Sequence, residues 1–247
     1  MTAYARTLLK KSYDENYSAS NPVILATLGS LEARLVKLPD TLTKIAETSA
    51  EKDMKKDHDE WLIIVSEKGH ACEKIASCHM ILTGHLRFNE KLEAACLGDS
   101  FEVVGEQHSP VFLAIAPFEF FNKAKTHRAQ GLLWQAITHF CILQNVDYVI
   151  GSLAFESRYP AAHALELSYL HHFCRSQSGV HLRANHGVTM DIMPEEAINP
   201  VEAFSCLPPM LRYCLRIGAK VADNAVIDRN NNETRIFLLF SAKTVQA

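Results

Sequence analysis

Residues 146–173 read VDYVIGSLAFESRYPAAHALELSYLHHF, and this run sets the class of fold that the chain adopts. Its first ten residues are rich in β-branched and aromatic side chains, which is typical of a buried strand. Tyr159 and Pro160 then open a helix over 161–173, because proline fits the first turn of a helix. The apolar residues of that helix are Ala164, Leu165, Leu167, Tyr169 and Leu170. A strand that leads directly into a helix is typical of α/β proteins.

The same kind of pattern extends on both sides of this segment. Strands are predicted at 31–36, 61–65, 74–82, 111–115 and 234–240, and helices at 128–144 and 207–218. A further helix is predicted to start at Pro39-Asp40, and 47–60 is predicted to be a solvated helix end or a loop. A turn at Gly69 joins two of the strands into a hairpin. A hairpin followed by β-α-β predicts an α/β fold, with a mixed, mainly antiparallel sheet flanked by helices.

The domain organisation follows from where the periodic pattern begins. Residues 1–30 show no sustained period and are interpreted as an N-terminal arm, and 31–247 as a single domain. The 247 residues are 48% hydrophobic and 21% charged, as in an ordinary globular protein. The formal net charge of −3 argues against a protein whose main role is to coat nucleic acid, and leaves room for a local basic patch.

Targeting features are absent from the sequence pattern. No apolar run approaches the roughly 18 to 20 residues that span a bilayer, and residues 1–11 lack the apolar core of a secretory signal. The seven cysteines are odd in number and scattered through apolar stretches, which suits reduced thiols. These observations predict a cytoplasmic protein.

Two blocks of sequence carry a resemblance to a known family. The first is the 151–173 segment, a glycine-containing strand end that runs into a helix finishing in Leu-His-His. The second is 207–228, LPPMLRYCLRIGAKVADNAVID, about fifty residues further on. Both resemble bacterial ornithine N-acyltransferases, a family also called hemolysin-like, and the resemblance is best from about 110 to 240. That family shares an acetyltransferase-like (GNAT-like) fold with acyl-homoserine-lactone synthases.

This resemblance implies transfer of a fatty acyl chain, often 3-hydroxylated, from acyl carrier protein to the amino group of an amino acid such as ornithine. It implies no metal and no dissociable cofactor, because acyl carrier protein or acyl-CoA brings the acyl chain as a substrate. The expected partners are acyl carrier protein and a small amine or amino acid, with peripheral contact at the inner face of the membrane. The chemistry requires an amine that loses a proton and a polarised thioester carbonyl.

Three departures separate the chain from the family pattern. Residues 114–117, Ala-Ile-Ala-Pro, stand where the family has a Glu-Leu-Gly-Arg-like sequence, so the expected carboxylate and guanidinium are absent. The acyl-donor loop keeps Arg128 and Gly131 but has Leu133 in place of its last small residue. The family's Arg-Tyr-x-hydrophobic-Phe stretch has no counterpart in 47–60. Either another group acts as the base or the chain is not a standard member.

The residues assigned to the acyl donor are Arg128, Gly131 and Leu132. At a helix start their free N–H groups could hold the phosphate and amides of a pantetheine arm. The neighbouring basic run, Lys123, Lys125 and His127 together with Arg128, suits the acidic surface of acyl carrier protein or is an ordinary solvated face.

The catalytic candidates are Glu156 and His172. Glu156 ends a strand, where residues of open α/β sheets face a cleft, and replaces the missing carboxylate as general base. Arg158 is assigned to the acceptor's carboxylate, or pairs with Glu156. His171 is assigned to substrate binding, since adjacent helix residues point to different faces and only one of the two histidines would enter the core.

Arg212 and Arg216 complete the substrate-binding candidates. Their i,i+4 spacing puts both on one helix face, where they bind phosphate or anionic headgroups or pair with acids. Asp228 is interpreted as a turn residue that orders Asn230 and Asn231. His163 and Glu166 share a helix but lack a third ligand, so no metal site is assigned.

The sequence therefore favours an acyl carrier protein-dependent N-acyltransferase, with Glu156 as base. Because of the altered 114–117 strand, the alternative is a catalytically degraded relative that binds acyl carrier protein or acyl chains as a partner. An acyl-homoserine-lactone synthase would use S-adenosylmethionine, and both quoted blocks speak against it. Cysteine nucleophile catalysis is rejected because none of the seven cysteines lies in an activating pattern.

Overall fold

The computed structural model describes residues 23–38, 58–85, 91–94, 99–104, 110–176 and 179–242. The strands are β1 Val23–Leu28, β2 Leu31–Lys37, β3 His58–Glu67, β4 His70–His85, β5 Lys91–Ala94, β6 Asp99–Val104, β7 Val111–Ile115, β8 Glu119–Phe120, β9 Tyr148–Phe155, β10 His181–Ala184, β11 Lys220–Val221, β12 Val226–Asp228 and β13 Glu233–Ser241. The α-helices are α1 Thr126–Leu143, α2 Ala164–Tyr169, α3 Pro200–Cys206 and α4 Pro209–Arg216. Short 3₁₀ turns cover Lys123–Lys125, Pro160–His163 and Glu195–Ala197, and a π-helical turn covers Leu170–Cys174.

The first of two compact units contains β1 to β4, β7, β8 and α1. Strands β1, β2, β3 and β4 pair in that order, each antiparallel to the next, and β7 and β8 both join β4. Helix α1 packs against β1, β2 and β3. Burying this apolar face is the main source of the unit's stability, since each fully buried Leu or Phe contributes about 1.5–3 kcal/mol. The fully buried residues of α1 are Ala129, Leu132, Leu133, Ala136, Ile137 and Phe140.

The second compact unit contains the remaining described elements. Its larger sheet pairs β9 with β13 and β13 with β11 and β12, all antiparallel. Its smaller sheet has the order β10-β6-β5, again antiparallel. Arg175, directly after the π-helical turn, forms a parallel bridge with Val221 and so attaches that turn to β11.

The segment from Pro160 to Cys174 changes its helical pitch twice. Pro160 opens it as a 3₁₀ turn because its fixed φ suits a helix start and its missing N–H costs nothing there. The chain then widens into α2, whose Leu167 and Ser168 are fully buried. It widens into the π-helical turn at Leu170–Cys174. π-helical turns are rare in proteins as a whole, and those that occur often lie at functional sites.

The structure confirms the predicted α/β class with its mixed, mainly antiparallel sheet, the hairpin at Gly69 and the helix predicted over 128–144, which begins at Thr126. The interpretation of 1–30 as an arm is wrong for Val23–Leu28, because this segment pairs with β2 as strand β1. The expected helix at Pro39-Asp40 and the charged stretch 47–57 lie outside the described residues, whereas His58–Glu60 starts β3. One domain over 31–247 stays a prediction. None of the helices in the described ranges is long and apolar enough to cross a membrane.

Candidate active site

A histidine pair and an aspartate come together at the end of the helix that starts at Pro160. His171 and His172 are adjacent in the π-helical turn, and both direct Nε2 toward Asp191. The distance from His172 Nε2 to Asp191 Oδ1 is 3.3 Å, and that from His171 Nε2 to Asp191 Oδ2 is 3.8 Å. In a regular α-helix neighbouring side chains point about 100° apart. Here both rings contact the same carboxylate, so the prediction that the two histidines face different surroundings is wrong.

The hydrogen bonds of His172 fix which of its nitrogens carries the proton. Nε2 lies 3.0 Å from the carbonyl oxygen of Met193, which can only accept a hydrogen bond. Nε2 therefore carries the hydrogen of the neutral ring, and the lone pair is on Nδ1. Nδ1 lies 4.0 Å from the carboxylate of Glu195, so a proton taken up there would face a second negative charge. This arrangement is suited to a general base.

His171 is held as a neutral ring. Burial lowers its pKa below the ordinary value of 6.5, and the nearby Arg175 guanidinium lowers it further, whereas Asp191 and Asp223 act in the opposite direction. Its Nδ1 is buried and has no hydrogen-bond partner within the part of the chain that the structure describes. Its backbone carbonyl accepts a hydrogen bond of 2.8 Å from Arg175 Nε. At neutral pH, His171 is therefore an uncharged ring packed beside the His172–Asp191 pair.

The same three side chains lie close enough together to suggest a metal site. One ligand atom from each of His171, His172 and Asp191 lies within 4.8 Å of the others. The bond to Met193 keeps a proton on Nε2 of His172, so the group would offer a metal only His171 and Asp191. Catalytic zinc takes three protein ligands and structural zinc takes four. The cluster is suited to moving a proton and does not fit a metal. His163 and Glu166, 3.9 Å apart, belong to no such three-ligand group among the described residues.

The structure places Glu156 directly after β9, with its side chain exposed. Within the described residues no hydrogen bond or ion pair joins it to Arg158. Arg158 instead donates a hydrogen bond of 2.9 Å to the hydroxyl of Tyr159 and lies over that ring, 5.1 Å from its centroid. The alternative for Arg158, an ion pair with Glu156, is therefore not found among the described residues, and Arg158 lies against the ring of Tyr159.

The residues assigned to the acyl donor all lie within α1. Arg128 is in its first turn and exposed, directly after the 3₁₀ turn Lys123–Lys125, whose Lys123 carbonyl accepts a hydrogen bond from the Thr126 N–H. Gly131 is exposed, and nothing lies within 4 Å of where its Cβ would be. The loop expected at 128–133 is therefore wrong, because α1 already begins at Thr126 and Leu132 is fully buried in the core. Only the start of this helix could meet a phosphate.

Arg212 and Arg216 lie one turn apart on α4, as expected. Arg216 is exposed and stacks over the ring of Phe204 at 5.4 Å, whereas Arg212 is half-buried. Asp228 confirms its interpretation as a turn residue: Oδ1 accepts hydrogen bonds from the backbone N–H groups of Asn230 and Asn231. Hydrogen bonds from Asn231 hold the pKa of the Asp228 carboxyl below its ordinary value.

The described cysteines support the rejection of thiol catalysis. Burial raises the pKa of Cys141 and of Cys214 to about 12, and that of Cys174 to about 11. A thiolate is the nucleophilic form, so these three side chains are inert at neutral pH.

Sequence reasoning missed Asp191, Met193 and Ser168. Asp191 lies in a segment without regular structure, between Met190 and Met193. Asp191 follows Leu-His-His by about twenty residues, and no periodicity connects the two. A polar residue inside the apolar face of α2 was the one available signal, since Ser168 is fully buried among leucines.

Together, fold and site define an α/β protein with a mainly antiparallel sheet and a histidine–aspartate centre at a helix end. Curated relatives give this class a narrower meaning. An L-ornithine N(alpha)-acyltransferase of Brucella abortus (strain 2308) is 37% identical over 125 residues, 50% of this chain and 44% of that protein. The enzyme of Rhizobium meliloti (strain 1021) is 38% identical over 117 residues, which are 47% of this chain and 40% of that protein. The enzyme of Agrobacterium fabrum (strain C58 / ATCC 33970) is 32% identical over 123 residues, which are 49% of this chain and 42% of that protein. The resemblance to ornithine N-acyltransferases is thereby confirmed.

The match is partial in length. It spans less than half of the curated relatives, and no family model matches the chain. Among solved structures, FeeM, an N-acyl amino acid synthase from uncultured soil microbes, overlaps 86% of this chain and 93% of its own with a TM-score of 0.25 and 11% identity. A TM-score of 0.25 is too low to relate the two folds.

Proposed function

We propose that the chain is an N-acyltransferase that moves a fatty acyl chain, including 3-hydroxyacyl chains, from acyl carrier protein to the amino group of an amino acid such as ornithine. The observation that carries this proposal is the 37% identity over 125 residues to a protein named for that reaction. The product would be the first intermediate of an aminolipid.

In this proposal the His172–Asp191 pair serves the acceptor amine. An amine attacks a thioester only after losing its proton, and Nδ1 of His172 carries the lone pair that can take it. Asp191 and Glu195 then supply negative charge beside the protonated ring. The amine nitrogen bonds to the thioester carbon as the carbon–sulfur bond breaks. Two protons leave the ammonium nitrogen as it becomes an amide: the departing pantetheine thiolate takes up one, and the other passes from His172 to solvent, so charge and atoms balance.

Glu156 is the competing base, and its surroundings support it less. Its carboxylate is exposed to solvent. His172 has two partners that fix its tautomer, whereas no described residue orients Glu156. We therefore assign proton removal to His172, and Glu156 to the surface near the end of β9.

For the acyl donor, the start of α1 is the proposed contact. The positive end of the helix dipole attracts a phosphate, and Arg128 in the first turn adds a positive charge. Lys123 and His127 are exposed beside it and would suit the acidic surface of acyl carrier protein. Lys125 is paired with Glu67, so it is less available. No dissociable cofactor is needed for this chemistry.

Arg212 and Arg216 are proposed to face an anionic group, either a phosphate or a lipid headgroup. Tyr213 lies between them in sequence and is exposed, which adds apolar surface to the same short helix. This supports peripheral contact with the inner face of the membrane by a protein that we propose to be cytoplasmic.

A second function has one observation in its favour. Ala114 and Ile115, at the position of the missing carboxylate and guanidinium, are buried in the core of β7. A relative that lost catalysis but kept its acyl carrier protein surface would show this change. It would act as a binding partner of a second acyltransferase.

Lipid extracts from cells expressing the chain test the two functions. Mass spectrometry should detect an acylated amino acid with the native chain, and at most about 1% of it with His172→Gln, since a general base contributes ~10²–10⁴-fold. Glu156→Gln should retain most of the product, and so should His163→Gln, a matched histidine near the same helix. A product that survives His172→Gln but disappears with Glu156→Gln would overturn the assigned base. No product from the native chain, with acyl carrier protein still retained in a pull-down, would favour the binding partner.

A further inference from the structure

The hydroxyl of Ser168 uses its full hydrogen-bonding capacity inside the protein. Ser168 is completely buried on α2. Its Oγ donates to the carbonyl of Met190 at 3.4 Å and accepts from the N–H groups of Ile192, at 3.2 Å, and Met193, at 2.9 Å. One hydrogen and two lone pairs are all that a serine hydroxyl has, so every one is engaged.

These bonds attach a segment without regular structure to the helix. Residues 190–193 belong to no strand or helix, so their backbone groups have no sheet or helix partners to hold them. Ser168 supplies three bonds at once. Buried polar groups that are fully satisfied in this way favour one conformation over its competitors.

The attached segment is the one that contacts His172. Asp191 provides the carboxylate 3.3 Å from Nε2, and Met193 provides the carbonyl 3.0 Å from the same atom. Ser168 and His172 are four residues apart in the same helical run. The helical run is therefore joined to the 190–193 segment at two places: Ser168 bonds to its backbone, and His172 contacts Asp191 and the carbonyl of Met193.

We propose that Ser168 is a positioning residue: it holds Asp191 and the Met193 carbonyl against His172 and so keeps the hydrogen on Nε2 and the lone pair on Nδ1. This inference rests on the proposed function for its catalytic meaning, but the tautomer itself is independent of activity. Without the hydroxyl, the segment would lose its attachment while its side chains stayed the same. His172 would then populate both neutral tautomers.

The charged and titratable groups around this ring are known from the described residues. Asp191 and Glu195 contact His172 itself, and His171 stacks edge-on against it with ring centroids 4.9 Å apart. Arg175 and Asp223 act on His171. A substitution at Ser168 changes none of these charges directly. A shift in the pH profile of acyl transfer would therefore show that the 190–193 segment had moved relative to His172.

The experiment compares Ser168→Ala with the native full chain by nitrogen-15 NMR of the histidine side chains and by acyl-transfer kinetics from acyl carrier protein. Native His172, assigned with His172→Gln, should show the Nε2–H tautomer. Ser168→Ala should show a mixture, with kcat lowered about 10- to 100-fold, less than the whole base contributes, and KM little changed. Ser168→Thr, which keeps a hydroxyl, should recover at least part of both signals.

Thr83→Val is the matched control for a general loss of stability. Thr83 is also buried, and its hydroxyl makes one hydrogen bond of 3.1 Å to Phe112. It should lower the melting temperature without changing the His172 tautomer or the pH profile. Should Ser168→Ala fail to fold, Ser168→Cys gives the same test, because a thiol is a weak hydrogen-bond partner.

Unchanged His172 nitrogen signals in a folded Ser168→Ala or Ser168→Cys variant would overturn the positioning role. A native chain with the Nε2–H tautomer that changes as expected, but with no acyl transfer, would leave the positioning role in place and reject the proposed function.

Discussion

Gly187 should be intolerant of a single added methyl group, because the space where its Cβ would lie is occupied. A Cβ there would fall 1.9 Å from Nδ2 and 2.2 Å from Cγ of Asn224. That amide is not free to leave without cost. Its Oδ1 accepts a hydrogen bond of 2.8 Å from the N–H of Ala184, and its Nδ2 donates one of 3.0 Å to the Ala184 carbonyl.

The magnitude follows from those two bonds. Gly187→Ala would push out the amide and leave two backbone groups of Ala184, a buried residue, without their partners. Each unsatisfied buried group costs about 1–3 kcal/mol, so for two groups the free energy of unfolding should fall by about 2–6 kcal/mol. Domains of this size are stable by only about 5–15 kcal/mol. Asn224→Ala removes the same bonds and should cost about as much.

Chemical denaturation followed by circular dichroism measures this cost for both single variants and for the double variant. Because both changes remove the same two bonds, the double variant should cost close to one single variant, and the coupling energy should be as large as that single cost, about 2–6 kcal/mol. The matched control is Gly131→Ala, where nothing lies within 4 Å of the new Cβ and alanine is the better helix former by about 1 kcal/mol. A Gly187→Ala variant as stable as Gly131→Ala, or costs that simply add, would refute the reasoning.

Two further predictions concern titrating groups. At pH 8, iodoacetamide should label the exposed Cys206 of the native protein and leave Cys141, Cys174 and Cys214 unmodified, because burial raises the pKa of these three thiols. Peptide mass spectrometry measures the labelling. If the three buried cysteines were labelled as fast as Cys206, their raised pKa would be contradicted. In the folded protein the pKa of His171 lies below the ordinary value of 6.5, so the unfolded chain binds the proton more readily. The stability contributed by the neutral ring is therefore complete above pH 6.5 and is lost as the pH falls toward the folded pKa. His171→Gln should therefore lose less stability than the native chain between pH 7.5 and 5.5 in urea unfolding, and an equal loss would count against burial of a neutral ring.

Much of the fold could be predicted because burial leaves a periodic trace in the sequence. The hairpin of β3 and β4 and the helix α1 have the predicted pattern, since their apolar residues recur with strand or helix spacing. The strand β1 was missed although its residues are apolar. Its register with β2 shifts between Ile24 and Ala26, and such an irregularity interrupts the simple alternation by which a strand is recognised.

The candidate site divides along the same line. The Leu-His-His block was found from the sequence, because a motif consists of neighbouring residues and its resemblance to the curated relatives is local. The departure at 114–117 was also visible, and the structure adds only that Ala114 and Ile115 are buried there. Leu132 was assigned to the acyl donor, but the structure buries it completely within α1, which begins at Thr126 after a 3₁₀ turn and without a side-chain cap.

The sequence by itself determined the α/β class, the order of most strands and helices, and the histidines of the site, because each of these is written in short-range spacing. Only the tertiary structure decided what those histidines face. Asp191 and Met193 lie about twenty residues away and reach His172 through the bonds of buried Ser168. The direction of two adjacent side chains also depends on the helical pitch at Leu170–Cys174. Pitch and long-range contact are set by packing of the whole unit, and no local pattern of residues encodes them.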